Sequence, residues 1–243
     1  EVYPPEAESW IESLPEEDRP ETPPTQYDTV YGPSHSDAEV AIISPESYAY
    51  VSGIVPIEGN ARGDGFNFYR VVFGKGLNPT EWTQIGPDHG EQVDYGLLEN
   101  WDTSQLDGLY SLRLQVVNHD SNLRERTIQV TVDNEPPEVD LNYPTEGSAY
   151  ELGYHEWVNI NAEVNDYSVD RVEFYEYGGG KDGEPPELEP FGVRRVAPFN
   201  LNWTLNSSTR MGHHTFYVVA VDAAGNEAKS NKVTVQVVPR ETE

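Results

Sequence analysis

The residues able to do chemistry in this 243-residue chain are mostly carboxylates: 43 Asp and Glu against 15 Lys and Arg, with six His and no Cys. Without Cys, thiolate catalysis, zinc–thiolate sites and disulfide bridges are excluded. Lys75, Lys181, Lys229 and Lys232 are the only lysines. None stands three residues after a Ser and none precedes Thr-Gly, so the Ser-x-x-Lys nucleophile is absent, as is a Gly-x-Ser-x-Gly elbow. His155-Glu156 lacks the second His of a zinc-protease helix. His213 and His214 are adjacent, so on a strand they face opposite sides and cannot chelate one metal between them. His214 is expected to fill a core or edge position. Gly178-Gly-Gly180 leads into no helix and reads as a flexible connection, not a phosphate loop. Nothing here assembles an active site, and the chain is expected to be non-catalytic.

Two binding chemistries remain. Asp133, Asn134 and Glu135, together with Asp222, offer oxygen ligands near a module boundary and a strand turn; a calcium ion wants six to eight such oxygens. The competing explanation is local, since Asp-Asn and Ala224-Gly225-Asn226 are turn formers. Trp82 follows a Gly-rich loop, and Tyr48, Tyr50 and Tyr95 lie in loop-rich stretches; exposed rings of this kind can stack on sugars. Trp101 and Trp203 recur at equivalent places, which points to packing. Arg62-Gly63-Asp64 runs into Gly65 and reads as a turn.

The elements positioning these groups are read from a repeat. Gly108-Leu-Tyr110-Ser-Leu112-Arg-Leu114-Gln-Val116, running on to Asn122, is matched by Gly212-His-His214-Thr-Phe216-Tyr-Val218-Val-Ala220, running on to Asn226. Both Gly pair and Asn pair stand 104 residues apart, so one unit occurs twice. Tyr110, Leu112, Leu114 and Val116 alternate with polar residues, as do Ile128, Val130 and Val132; half-buried antiparallel strands give this period of two. Further strands are expected over Val40–Pro45, Val51–Ile57, Phe66–Phe73 and, briefly, Glu81–Ile85. Gly53 and Pro56 suggest a bulge or an edge in the second of these. No amphipathic helix longer than two turns is visible.

The fold expected is all-β: two tandem immunoglobulin-like β-sandwich domains preceded by an extended Pro/Glu-rich segment. Residues 1–37 hold seven prolines and ten acids, a composition that cannot bury enough surface to offset chain entropy, and read as an acidic linker. Trp10, Ile11 and Leu14 there have helical spacing suited to one docking turn. Sandwich 1 is placed at 38–134, sandwich 2 at 135–239 and a tail at 240–243, with a polar hairpin loop near 177–190. Pro136-Pro137 stiffens the joint between sandwiches.

The net charge of −28 is spread over all three segments. It disfavours nucleic acid and anionic membrane surfaces, which need clustered Lys and Arg. No apolar run approaches the length of a membrane span. The chain starts with neither Met nor a signal peptide and reads as a fragment with targeting elements upstream.

Several phrases resemble a known family. Ile43-Ser-Pro45, Val51-Ser-Gly53-Ile-Val-Pro56-Ile57, Gly63-Asp-Gly65-Phe66, Phe68-Tyr69-Arg70 and the run from Phe73 through Gly76 and Pro79 to Trp82 carry the likeness. Trp101-Asp-Thr103, Leu106-Asp-Gly-Leu-Tyr110 and Val130-Thr-Val-Asp-Asn134 continue it. Together they resemble the non-catalytic, immunoglobulin-like C-terminal extension of bacterial class A penicillin-binding proteins. Pro23-Pro-Thr25 and Tyr27-Asp-Thr29 resemble the linker into that extension, and Val219 through Asn226 is similar to many bacterial Ig-like repeats. The resemblance implies an accessory, spacer or interaction region of a cell-wall synthase, outside the cytoplasmic membrane. Its partners would be the upstream catalytic domains of the parent chain, peptidoglycan or cell-envelope proteins, with no direct membrane insertion by this segment. The alternatives are a peptidoglycan-binding module using the aromatics above, and a calcium-stiffened, adhesin-like Ig repeat.

Overall fold

A computed structural model describes residues 38–178 and 188–240. The expected linker over 1–37, with Trp10, Ile11 and Leu14, lies outside the described residues, as does most of the Gly-rich stretch after β12. Glu39–Glu243 forms one compact unit. All described elements are strands.

The first eight are β1 (Val40–Ser44), β2 (Tyr50–Val51), β3 (Ile54–Ala61), β4 (Phe66–Lys75), β5 (Thr83–His89), β6 (Val93–Asp102), β7 (Gly108–Asn118) and β8 (Leu123–Val132). They form a three-stranded sheet, β1-β3-β6, facing a five-stranded sheet, β2-β8-β7-β4-β5. The next nine are β9 (Glu138–Tyr143), β10 (Ala149–Leu152), β11 (Trp157–Asn165), β12 (Val169–Gly178), β13 (Gly192–Arg194), β14 (Asn200–Thr204), β15 (Gly212–Asp222), β16 (Glu227–Lys229) and β17 (Val233–Pro239). They repeat the plan: β9-β11-β14 faces β10-β17-β15-β12-β13, with β16 also paired to β15. The short β2 and β10 both pair parallel with the last strand of their sandwich, and every other pairing is antiparallel. The chain thus builds two tandem immunoglobulin-like sandwiches.

The period-two residues face inward as expected. Leu112, Leu114, Val116 and Val130 are fully buried in the first core, and Ile160, Phe174, Phe216, Val218 and Val235 in the second. The 104-residue register is geometric as well: the Asn118 N–H donates to the Asn122 carbonyl, and the Asp222 N–H to the Asn226 carbonyl. Trp101 packs against Phe73 and Tyr110, and Trp203 against Phe216 and His214, so both are packing residues. His214 pairs with Val235 on β17, as Tyr110 pairs with Val130 on β8.

The bulge expected near Gly53 and Pro56 is present: Pro56 pairs with Asn100 of β6 just before a register shift between Ile57 and Glu58. Two expectations change. Tyr95 is not in a loop: it sits on β6, a ten-residue strand whose acids and glycine conceal its alternation. Its φ of 50° marks a local irregularity beside a register shift. The short strand at Glu81–Ile85 is β5, shifted to Thr83–His89.

Candidate functional site

The chemically richest region is the junction between the sandwiches. β8 delivers Asp133 there. The β15–β16 turn delivers Asp222 to Asn226, and the β11–β12 turn delivers Asp166 and Ser168. Gly225, at φ +86°, lets the β15–β16 turn close. Asp222 is 2 % exposed and satisfied locally: one carboxylate oxygen accepts the N–H groups of Ala224 and Asn226, both at 2.9 Å. The Asn226 amide donates to the other oxygen at 2.8 Å and, across the junction, to the Asp133 carbonyl at 2.9 Å. The Ser52 hydroxyl donates to the Ala224 carbonyl at 3.0 Å, and the Ser168 hydroxyl to the Asp133 carboxylate at 3.4 Å. One amide and one hydroxyl therefore bind sandwich to sandwich, and the single Ser168 hydroxyl hydrogen lies between Asp133 and the closer Asp166.

This packing brings the carboxylates of Asp133, Asp166 and Asp222 together, with one oxygen of each within 4.8 Å of the others. Asp166 is held by the N–H and hydroxyl of Ser168, at 2.6 and 3.0 Å. Among the described residues none of the three forms an ion pair with Lys or Arg. Three anionic oxygen donors at this spacing suit a hard divalent cation, with remaining ligands from water or backbone.

Of the expected calcium ligands, Asp133 and Asp222 meet. Asn134 is turned into sandwich 1, where its carbonyl accepts the Gly53 N–H and its amide donates to the carbonyls of Thr103 and Leu106. Both amide hydrogens and the carbonyl of that side chain are engaged within sandwich 1, so it is a structural bracket. Glu135 is exposed, and its N–H donates to the Asp133 carboxylate. Asp166 was not anticipated. The only local signal is Asn165-Asp166-Tyr167-Ser168, an ordinary turn sequence whose neighbours lie 33 residues before it and 56 after.

The aromatic candidates do not share one surface. Trp82 is partly covered: the Arg113 guanidinium lies over its ring at 4.0 Å. Tyr50 begins the β2 edge of the same sheet, and Tyr48, 70 % exposed, sits in the preceding turn with φ 69°. Tyr95 belongs to the opposite sheet. Arg62 of the Arg-Gly-Asp turn is tied to Asp94 at 2.9 Å.

Two charged constellations lie elsewhere, one around the buried His214 and one around the half-buried Glu173. His214, 4 % exposed, lies 2.6 Å from the Glu176 carboxylate through Nδ1 and 2.8 Å from the Arg210 carbonyl through Nε2. Burial disfavours its charged form, but the carboxylate and the carbonyl outweigh this and raise its pKa above the ordinary histidine value. Burial likewise opposes the charge on Glu173; the Tyr175 hydroxyl and Arg171 guanidinium overcome it and hold the carboxyl below the usual range. Both lie on β12 and β15 as part of the sheet itself.

Residues 137–218 match the bacterial Ig domain family. No curated protein sequence matches the chain. Among solved structures, the fibronectin(III)-like modules of CbhA from Clostridium thermocellum align at 21 % identity with a TM-score of 0.51, covering 82 % of this chain and 93 % of that one. The FN1–FN3 domains of chicken CNTN1 align at 12 % identity and a TM-score of 0.48, over 81 % and 64 %. A 1.5-MDa bacterial ice-binding adhesin aligns at 15 % and 0.36, over 79 % and 61 %. At 21 % identity the likeness to the CbhA modules is one of fold. Ig-like and fibronectin-III-like sandwiches are in general non-catalytic, and function on such folds resides in particular surfaces. Among the described residues no helix is long and apolar enough to cross a membrane.

Proposed function

We propose that the chain is a non-catalytic spacer and interaction region of an extracytoplasmic bacterial envelope protein, built of modules at 38–134 and 135–239. The observation that carries this reading is the junction: Asn226 and Ser52 hydrogen-bond directly from one sandwich to the other. Together with Pro136-Pro137, these bonds would hold the pair in a limited range of angles, as a strut, against the relative motion that is the default where a junction is small and polar. A strut holds whatever precedes it at a set distance and orientation from whatever it meets. The resemblance of residues 23–134 supports a penicillin-binding protein as the parent, with the catalytic domains upstream as the first partners. The acidic surface supports a wall-facing setting free of nucleic acid. Residual dipolar couplings test the strut. One alignment tensor should fit both sandwiches of the wild-type chain, whereas Asn226→Ala with Ser52→Ala should require two. Two tensors already in the wild type would refute the reading.

The convergence of Asp133, Asp166 and Asp222 favours a second reading, in which calcium stiffens this junction. Bound calcium should stabilise by about 2.7 kcal/mol at a hundredfold excess over its dissociation constant. Melting should therefore shift upward from chelator to millimolar calcium, and Asp166→Asn should abolish the shift. An identical melting temperature in both buffers would dismiss calcium.

A further inference from the structure

We infer that the outer face of the β9-β11-β14 sheet is a binding surface for an uncharged polysaccharide strand. Val158, Ile160 and Ala162 of β11 point into the core, as do Leu201 and Trp203 of β14. Alternation therefore sends Asn159, Asn161, Asn200 and Asn202 outward. The register places them in two consecutive rows, Asn159 opposite Asn202 and Asn161 opposite Asn200. Trp157, 49 % exposed, closes one end of the rows opposite Thr204. At the other end Glu163 pairs with Asp140 of β9.

These side chains are not used up by the fold. The Asn159 amide donates to the Asn202 carbonyl at 2.8 Å, which leaves the carbonyl of the first and the amide of the second facing outward. Neither Asn161 nor Asn200 makes a side-chain hydrogen bond among the described residues, although both are half-buried. Beside them a depression of about 310 Å³ is bounded by Asn142, Asn161 and Glu163 from the sheet and by Pro198 and Phe199 from the segment entering β14. That is the size of a small ligand pocket with a few convergent polar groups.

The chemistry selects the occupant. An amide presents a donor and an acceptor together, as a sugar hydroxyl does, and rows of amides on a pleated sheet repeat in two directions. The exposed indole supplies a flat apolar plate for one face of a pyranose ring. None of the outward residues of these three strands is Lys or Arg and Glu163 and Asp140 are acidic, so phosphate- and sulfate-bearing polymers are disfavoured; the nearby guanidinium of Arg194 is spent on the Asn200 carbonyl. A protein partner would want a contiguous apolar centre, whereas the two exposed rings here, Trp157 and Tyr143, which pairs with Asn161 from β9, are separated by the amide rows. The opposite sheet differs: there Lys229 and Lys232 lie against the rings of Tyr217 and Tyr177, at 3.7 and 5.3 Å.

The test is retention of the full chain on cellulose and on chitin powder, with heparin-agarose as the anionic arm; the first two distinguish a plain hexose from an N-acetylated one. Retention on cellulose or chitin should fall roughly tenfold or more for Trp157→Ala, the scale of losing an aromatic anchor, and for Asn161→Ala with Asn202→Ala. Trp82→Ala, on the other sandwich, should be retained like the wild type. Amide chemical-shift changes in the wild-type chain with cellohexaose or chitohexaose should map to β11 and β14, a readout independent of how the variants fold. The inference is overturned by absence of retention on both glycans, by retention on heparin alone, by retention indifferent to the Trp157 and Asn variants, or by shifts confined to other strands.

Discussion

Raising the pH should destabilise the second sandwich through one residue, His214. Its ring is pinned between two groups that can only accept: the Glu176 carboxylate at 2.6 Å and the Arg210 carbonyl at 2.8 Å. With an acceptor facing each ring nitrogen, the site favours the imidazolium, in which both nitrogens donate. Trp203 lies 4.8 Å away, its ring tilted by 47°, and adds no proton acceptor. The folded-state pKa therefore lies above the ordinary histidine value of about 6.5. A raised folded pKa gives stabilisation that is complete below about pH 6.5 and disappears as pH climbs through the folded value. The slope for one proton cannot exceed about 1.4 kcal/mol per pH unit. The size follows from what deprotonation leaves behind. Nδ1–H still serves Glu176, but a lone pair on Nε2 now faces the Arg210 carbonyl, and a buried acceptor without a donor costs about 1–3 kcal/mol. Urea unfolding from pH 5.5 to 9, read at β15 amide cross-peaks, should show a loss of that order above pH 6.5. Glu176→Gln keeps an acceptor for Nδ1 but removes the charge, so its curve should be flatter, and the difference between the two curves isolates His214 from the other five histidines. A His214 resonance titrating at or below pH 6.5, or parallel curves for wild type and Glu176→Gln, would refute the assignment.

Other perturbations follow the same physical logic. Asn134→Ala strands the Gly53 N–H and two carbonyls inside sandwich 1 and should cost it about 2–3 kcal/mol in denaturant unfolding, a value below 0.5 being incompatible with the bracket. Phe216→Ala empties a fully buried site in the second core alone, so its transition should fall by about 3–5 kcal/mol while cross-peaks of β7 and β8 keep their midpoint; a common shift would mean the two cores unfold as one. Gly86→Ala puts a methyl onto the Glu99 carboxylate at a φ of +64°, which should destabilise by at least about 1–2 kcal/mol and disturb the His89–Glu99 contact seen in histidine spectra.

Legibility in this chain tracks sequence separation. Strands β7, β8, β15 and β17 read most clearly because one face of each is largely apolar along its centre, and burial on one side is what imposes a period of two; β4 reads as a strand from apolar groups on both faces. β6 escapes because only Leu98 and Trp101 of its ten residues are buried, and Asp94, Gly96, Glu99, Asn100 and Asp102 interrupt the remaining apolar residues. The tandem plan was legible because Gly108 and Gly212 begin equivalent strands, and the Asn122 and Asn226 turns close by the same bond. The junction was legible only in part. Asp133 and Asp222 stand out as strand-end acids in turn-forming sequences. Asp166 joins them only because the β11–β12 turn is folded against β8, a fact of packing that leaves no mark in the local residues.

The Asn-rich face shows the same boundary from the other side. Asn159-x-Asn161-x-Glu163-x-Asn165 is visible as the polar half of an alternation, and such a stripe ordinarily means no more than a solvated surface. Its significance depends on register. If β14 slipped by one residue against β11, Leu201 and Trp203 would turn to solvent and the asparagines of β14 into the core. The cost of exposing a leucine and a tryptophan therefore fixes the amide rows opposite each other. The apolar residues that build the second core thus also set the spacing of the polar groups outside it, and a polar face otherwise indistinguishable from bulk surface acquires a repeat that a polymer can match.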